Sequence, residues 1–216
     1  MSGSKPPMGP QGPSIDWSEL RPRRPEDFGA LYAAPPPWDI GRPQRAFVEL
    51  ARAGEVKGRV LDVGCGTGEH ALMAAGLGLE AVGIDVVPAA IAIAQRKAAD
   101  RGLSARFLVA NALELTSLNE RFDTVLDCGL FHIFKDDDRL RFVDSLRAVV
   151  PAGGRYYMLC FSDLQPGDSG PRRIAKSEII ASFDNGWHID AIDPAKIDIT
   201  TSADGVLAWR ASITRT

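Results

Sequence analysis

The sequence has few cysteines, no large charge excess and no long apolar run. Its three cysteines are odd in number and lack C-x-x-C spacing, which argues against a disulfide framework or a metal site and favours a reducing, cytoplasmic setting. Lysine and arginine number 25 against 28 aspartates and glutamates, so we expect no nucleic-acid partner held by phosphate attraction. No membrane span or secretory signal is expected either. A small ligand remains the expected partner, with the oligomeric state open.

Proline is concentrated at the start of the chain. Nine of the 15 prolines lie within residues 1–37, where they oppose helices and sheet ladders. Residues 1–14 have almost nothing to bury and are predicted to be a disordered tail. Residues 15–44 contain apolar side chains that could dock on a body. Residues 45–216 are predicted to form one domain, a length that suits a single core.

Short β-rich runs alternate with longer helical ones along the body of the chain. Such alternation predicts a Rossmann-like, doubly wound α/β fold with helices on both faces of a mostly parallel sheet. Two closing β-runs, over residues 188–192 and 206–214, leave no room for a crossover helix between them. We therefore expect a final hairpin and a seven-stranded sheet whose last strand is antiparallel.

The strongest local signal is a glycine loop between an apolar strand and a helix. Gly64, Gly66 and Gly68 alternate with single residues, and Asp85 ends the next strand 21 residues after Gly64. Glycines permit a tight turn that touches a ligand, and an acid at this spacing can hold a ribose diol. The alternative is a plain strand–helix turn with a surface acid. The G-x-G-x-G spacing and the following Glu69 disfavour a pyrophosphate and favour an adenosine cofactor without phosphates.

This run resembles the first motif of class I S-adenosylmethionine-dependent methyltransferases, and the resemblance extends from residue 38 to about 214. It implies S-adenosylmethionine as cofactor, with Asp62 at its methionine end and Asp85 at its ribose. It further implies that the adenine contacts Asn111 and Ala112 and that Asp127 borders the sulfonium. The cofactor-binding residues so predicted are Trp38, Asp62, Gly64, Cys65, Gly66, Gly68, Asp85, Val86, Asn111, Ala112 and Asp127.

Two of these assignments have structural alternatives. The family usually has aspartate where Asn111 stands, although an asparagine oxygen can still accept a hydrogen bond from the adenine amino group. Asn111 could equally be a turn residue. Asp127 could be a strand-end acid that caps the turn after it.

Shorter strings resemble a narrower group of small-molecule methyltransferases related to thiopurine S-methyltransferase, including actinobacterial enzymes that methylate heterocyclic toxins. These strings are residues 38–44, 127–132, 160–163 and 170–173. In that group the N-terminal segment folds over the cofactor, which implies that residues 15–44 form a lid. The resemblance implies methyl transfer to oxygen, nitrogen or sulfur of a small aromatic or heterocyclic acceptor.

Two residues are candidates for work on the acceptor. His132 follows the fourth strand of the pattern and could act as a general base, or it could be a half-buried histidine beside Phe131. Arg173, next to Arg172 in the loop after the fifth strand, could hold a polar group of the acceptor, or form a charge pair. The alternative functions are a nicotinamide-dependent oxidoreductase and a non-catalytic module that binds S-adenosylmethionine.

Overall fold

The computed structural model describes residues 36–167 and 170–216. The predicted tail, residues 1–14, and the predicted lid up to residue 35 lie outside the described residues. The strands are β1 Val60–Val63, β2 Ala81–Asp85, β3 Ala105–Val109, β4 Thr124–Cys128, β5 Arg155–Phe161, β6 Trp187–Ile199 and β7 Ser202–Arg215. The helices are α1 Arg45–Arg52, α2 Glu69–Gly76, α3 Pro88–Asp100, α4 Asp136–Val149 and α5 Lys176–Ser182, with short 3-10 helices over Ala112–Leu118 and Phe131–Ile133.

The seven strands form one sheet in the order β3-β2-β1-β4-β5-β7-β6. Strands β1 to β5 run parallel, and β7 is antiparallel to both β5 and β6. This topology confirms the predicted doubly wound sheet with an antiparallel last strand. The chain order reverses between β1 and β4, and the carboxyl ends of the strands beside such a reversal form the usual ligand crevice.

Alternate residues of each strand point to opposite faces of the sheet and build two apolar clusters. On one face Leu61 and Val63 pack with side chains of α4 and α5. On the other face Val60 packs with side chains of α1, α2 and α3. Because both faces of the sheet are covered, β1 is buried along its whole length. This burial fixes the position of the glycine loop that follows β1.

The last two strands are longer than predicted. The sequence indicated strands over residues 188–192 and 206–214, whereas β6 and β7 span 13 and 14 residues. Pro194 lies inside β6, opposite Trp209 of β7. A proline is tolerated there because β6 is the edge of the sheet, where a missing N–H breaks no ladder. The hairpin therefore extends beyond the end of β5 and reaches the ligand crevice.

The described part of the chain contains no helix that is long and apolar enough to cross a membrane.

Candidate active site

A cavity of about 450 Å³ opens at the carboxyl ends of β1, β2 and β4. Its size suits a small-molecule ligand. Nine of the residues predicted at the site line it, namely Trp38, Gly64, Cys65, Gly66, Asp85, Val86, Ala112, His132 and Arg173. The other four predicted residues do not line the cavity, and they are Asp62, Gly68, Asn111 and Asp127. They affect the site by holding neighbouring residues in place.

The glycine loop has the geometry that its sequence predicts. Gly64, Gly66 and Gly68 all have φ in the left-handed region, at 67°, 51° and 89°, which non-glycine residues seldom adopt. Gly68 also packs closely under the sheet, since a Cβ there would come within 2.6 Å of the Phe107 ring. Gly68 therefore allows α2 to start against β3, while Gly64 and Gly66 form the floor of the cavity.

Asp85 ends β2 and ties the glycine loop to it. Its two carboxylate oxygens accept hydrogen bonds from the backbone N–H groups of Gly66 and Val87, each at 2.9 Å. Burial raises the pKa of Asp85, and the two backbone donors counteract this. Each oxygen keeps a further acceptor position. The carboxylate can thus hold the loop and bind a ribose diol in the cavity at the same time.

Asp62 acts behind the cavity wall through His70. The Asp62 carboxylate is 1% exposed and accepts the Ala71 N–H at 3.1 Å. Its other oxygen lies 3.7 Å from Nδ1 of His70, whose Nε2 accepts the Gln44 N–H at 3.2 Å. This chain of contacts connects the glycine loop to the segment before α1. His70 itself lines the cavity, a position that the sequence did not single out.

Asn111 adopts the turn alternative. Its side-chain oxygen accepts the Leu113 N–H at 3.0 Å and caps the 3-10 helix that follows. The neighbouring Ala110 and Ala112 line the cavity instead. Asn111 therefore fixes the turn at this part of the wall, where Ala110 and Ala112 present small side chains to the cavity.

Asp127 adopts the capping alternative. Its buried carboxylate accepts the N–H groups of Leu130 and Phe131, at 2.8 and 3.2 Å, and the Tyr156 hydroxyl at 2.6 Å. Burial raises the pKa of Asp127 to about 7, against these three donors. The carboxylate holds the turn that carries Leu130 and His132 into the cavity, and it does not face the cavity itself.

His132 lines the cavity, but its surroundings argue against the predicted general base. Its Nδ1 accepts the Phe161 N–H at 3.0 Å, and its ring meets the Phe161 ring edge-on at 5.0 Å. Burial lowers the pKa of His132 to about 3. A base that works near neutral pH needs a higher pKa and a nitrogen that is open to the substrate.

Arg173 lines the cavity, and its guanidinium organises its own loop. It donates to the backbone oxygens of Gln165, Pro166 and Pro171 at 3.0 to 3.3 Å. Arg172 points elsewhere and pairs with Asp136 at 2.6 Å and with Glu178. Arg172 thus takes the charge-pair alternative, while Arg173 gives the loop its shape.

The β6–β7 hairpin is hydrogen-bonded to two segments that line the cavity, and the sequence did not predict this. These covering segments are residues 36–44 before α1 and residues 163–167 after β5. The side-chain amide of Gln44 donates to the backbone oxygen of Asp198 at 3.0 Å and accepts the backbone N–H of Asp198 at 2.7 Å. The Thr200 N–H donates to Pro37 at 2.9 Å. On the other side the Leu207 N–H donates to the Gln165 side chain at 2.7 Å. The hairpin therefore holds both covering segments in place.

Glu69 has compensating cations. Its carboxylate pairs with Lys97 and with Arg101, both at 2.8 Å. Burial opposes ionisation, but the hydrogen bonds from Arg101 and Lys97 lower the pKa of Glu69. Lys97 also lies 3.5 Å from Asp39 of the covering segment. The negative charge of Glu69 beside the glycine loop is thus balanced by these cations. It therefore disfavours a pyrophosphate-containing cofactor less strongly than the sequence suggested.

Together, the fold and the cavity define a protein that binds an adenosine-containing cofactor at the carboxyl edge of a doubly wound sheet. The Asp85 carboxylate faces the space above the glycine loop, and small side chains leave room for a flat base beside Val86. These residues fit S-adenosylmethionine.

Comparison with known proteins agrees with this fit. Residues 60–154 match the family model described as a methyltransferase domain. The chain is 36% identical, over 83% of its length and 79% of the relative, to 2-heptyl-1-hydroxyquinolin-4(1H)-one methyltransferase of Mycobacteroides abscessus. It is 40% identical, over 59% of its length and 57% of the relative, to demethylmenaquinone methyltransferase of Thermus thermophilus.

Solved structures agree as well. A protein studied in work on the conversion of a disulfide bond into a thioacetal group during echinomycin biosynthesis is 37% identical, with a TM-score of 0.80 over 88% of this chain and 91% of that one. Magnesium protoporphyrin IX methyltransferase of Synechocystis PCC 6803, with bound S-adenosylmethionine, shares the fold at 20% identity, with a TM-score of 0.62 over 79% and 76% of the two chains.

The chain belongs to the class I S-adenosylmethionine-dependent methyltransferases, and S-adenosylmethionine is its cofactor. This membership decides against the nicotinamide-dependent alternative.

Proposed function

We propose that the methyl acceptor is a small, flat aromatic or heterocyclic molecule that is methylated on oxygen, nitrogen or sulfur. One observation carries the proposal. The cavity is also lined by apolar side chains from the turn after β4, the end of β5 and the β6–β7 hairpin, which are Leu130, Phe161, Ile197, Ile199 and Val206. An apolar wall beside the cofactor site suits the ring system of such an acceptor and excludes water from the methyl transfer.

The relatives support this acceptor class. The Mycobacteroides abscessus relative is named for a hydroxyquinolinone, a bicyclic heterocycle, and aligns over most of both chains. The Thermus thermophilus relative is named for demethylmenaquinone. Acceptors with fused aromatic rings are therefore the first compounds to test.

The cavity residues divide between cofactor and acceptor. We assign the ribose to Asp85, the methionine part to the backbone of Gly64 and Gly66, and the adenine to the small side chains around Ala112. When bound, S-adenosylmethionine supplies an electrophilic methyl group on a sulfonium. The chain then has to orient the acceptor and exclude water, because the donor is already activated.

The segment of residues 36–44 serves as part of a lid over this cavity. Trp38 lines the cavity, and Gln44 and Pro37 attach the segment to the β6–β7 hairpin. An aromatic side chain on a segment held at both ends is a suitable cover for a bound cofactor. The proposed lid over residues 15–44 includes this described part.

The experiment is a screen of acceptors with a methyl-labelled cofactor. Hydroxyquinolinones, naphthols and ring-nitrogen heterocycles are incubated with the protein, and methylated products are read by mass spectrometry. We expect labelled product from fused-ring acceptors and none from aliphatic alcohols. The Asp85→Ala variant is the control for cofactor-dependent turnover. Cofactor binding by calorimetry without product from any acceptor would instead support the non-catalytic module.

A further inference from the structure

The hydrogen bond on His132 fixes which of its nitrogens carries the proton. The backbone N–H of Phe161 donates to Nδ1 at 3.0 Å, so Nδ1 must be the unprotonated acceptor nitrogen. The proton of the neutral ring then lies on Nε2, and the ring lines the cavity. His132 therefore offers the cavity a hydrogen-bond donor.

The Phe161 contact also prevents this histidine from working as a base. Nε2 already carries its proton, and a proton on Nδ1 would point at the Phe161 N–H. Burial alone accounts for the direction of the pKa shift of His132, which favours the neutral ring. A deprotonating role would require the ring to leave its bond to β5.

The other ionisable groups of the cavity wall are already engaged. Burial raises the pKa values of the cavity-lining thiols Cys65 and Cys128, so both are protonated near neutral pH. The charged side chains and the second histidine on the wall have partners in the fold, and they are Asp39 with Lys97, Arg42 with Asp198, Glu69 with Lys97 and Arg101, His70 with Asp62, Asp85 with Gly66 and Val87, and Arg173 with its own loop. The wall thus presents a donor, while its carboxylates are committed to structure or cofactor.

We propose that His132 donates a hydrogen bond from Nε2 to the acceptor, and that the acceptor is bound as its anion. This inference rests on the proposed function and narrows it to rings with an acidic hydroxyl or N-hydroxyl group. A donor beside the reacting atom stabilises an anion and selects it over the neutral form. The Nε2–H group positions the acceptor, and no proton has to be transferred to the protein.

The chemistry balances without a base. The acceptor loses its proton to solvent before it binds. Its anionic oxygen then forms the new O–C bond while the C–S bond breaks, and that electron pair stays on sulfur. The products are the O-methylated acceptor and S-adenosylhomocysteine, whose sulfur carries no charge. No proton passes to His132 at any stage.

Two substitutions separate a donor from a base. In His132→Asn, the amide oxygen can replace Nδ1 as acceptor for Phe161, but the side chain is too short to reach the Nε2 position. In His132→Gln, the amide nitrogen can replace the Nε2 donor. We expect kcat/KM to fall about 10- to 100-fold in His132→Asn, the range for a hydrogen bond to a charged group, and to recover largely in His132→Gln. His188→Gln, at an exposed histidine outside the cavity, is the matched control.

The pH profile gives a second readout. For a series of ring hydroxyls of different acidity, we expect the midpoint of kcat/KM to follow the pKa of each acceptor. Equal loss of activity in the Asn and Gln variants, with one midpoint shared by all acceptors, would identify His132 as a base and overturn the proposal.

Nitrogen chemical shifts of His132 test the inference without any acceptor. We expect NMR of the protein with bound S-adenosylhomocysteine to find the proton on Nε2 and a ring that stays neutral from pH 8 down to 5. A proton on Nδ1, or titration near pH 6.5, would refute the donor. This measurement is independent of the acceptor screen, so failure of the proposed function and failure of this inference remain distinguishable.

Discussion

At the scale of single residues, Asp85 combines a structural and a ligand-binding task. Its carboxylate holds Gly66 and Val87 and faces the cavity. We expect Asp85→Ala to weaken S-adenosylmethionine binding about 10- to 100-fold, because a charge-assisted contact and the anchor of the loop are lost together. Asp85→Asn keeps one acceptor oxygen and should lose less. Titration calorimetry measures both, with exposed Asp184→Asn as control. Unchanged affinity in Asp85→Ala would remove Asp85 from the cofactor site.

His132 makes the stability of the fold depend on pH. Burial lowers its pKa to about 3, from an ordinary value of 6.5. Between these values the unfolded chain binds the proton and the folded chain does not, so the contribution is complete above pH 6.5 and declines as the pH falls toward 3. From pH 7.5 to 5 we expect this residue to cost about 2 kcal/mol of unfolding free energy.

The measurement is urea unfolding of the native chain and of His132→Asn at both pH values. Asp127 titrates in both proteins, so the difference between them isolates the histidine. The variant should lose about 2 kcal/mol less over this interval. Parallel losses in the two proteins would contradict a buried neutral ring.

Residue type and spacing predicted some parts of the site and not others. The left-handed loop glycines and the strand-end position of Asp85 follow from local rules of backbone conformation and parallel sheets. The partners of Asp127 and His132 do not, because they depend on the turn after β4 and on a backbone N–H of β5 that is 29 residues away. Such contacts arise only when the register of β4 against β5 is set.

At the scale of elements, the β6–β7 hairpin and the segment before α1 stabilise each other. The Gln44 amide pairs with both backbone groups of Asp198, and it is buried. Gln44→Leu leaves two backbone groups without partners and should cost about 1 to 3 kcal/mol of unfolding free energy. Asp198→Asn keeps these bonds and loses ion pairs with Arg42 and Arg45, whose side chains are 53% and 65% exposed. That loss should be about 0 to 1 kcal/mol.

Urea unfolding and the KM for the cofactor together test this pair of variants. We expect Gln44→Leu to raise the KM by several-fold, since the covering segment loses its attachment, while Asp198→Asn stays close to the native value. If both variants match the native chain in KM, the attachment has no part in covering the cavity.

Among the helices and strands, the β6–β7 hairpin is the part whose extent the sequence did not predict. The alternating strands and helices up to β5 follow the hydrophobic pattern closely. The outer half of β6 does not, because Pro194 and neighbouring charged residues are typical of a loop. Only the place of β6 at the sheet edge makes that sequence compatible with a strand, and edge position is a property of the assembled sheet.

At the scale of the whole molecule, three distant parts of the chain converge on one edge of the sheet. The glycine loop comes from the first β-α unit. Residues 163–167 and 170–173 follow the end of β5, and the third part is the final hairpin, β6–β7. The parallel topology fixes the first of these by itself. The other two meet above the cavity through single side chains such as Gln165, so the cover is assembled late in the chain and held by few bonds.

Truncation tests whether the start of the chain completes this cover. Deletion of residues 2–14 leaves in place every contact that the described residues make around the cavity, and we expect unchanged activity and an unchanged rise of the melting temperature with S-adenosylmethionine. Deletion of residues 2–40 removes Trp38 from the cavity wall, the Pro37 bond to Thr200 and the Asp39 contact with Lys97. Because the stabilisation of a protein by a ligand grows with the affinity of that ligand for the folded state, this variant should lose most of that rise together with its activity. An active longer deletion with a native ligand-induced shift would show that the cofactor is held by the glycine loop and Asp85 without a lid.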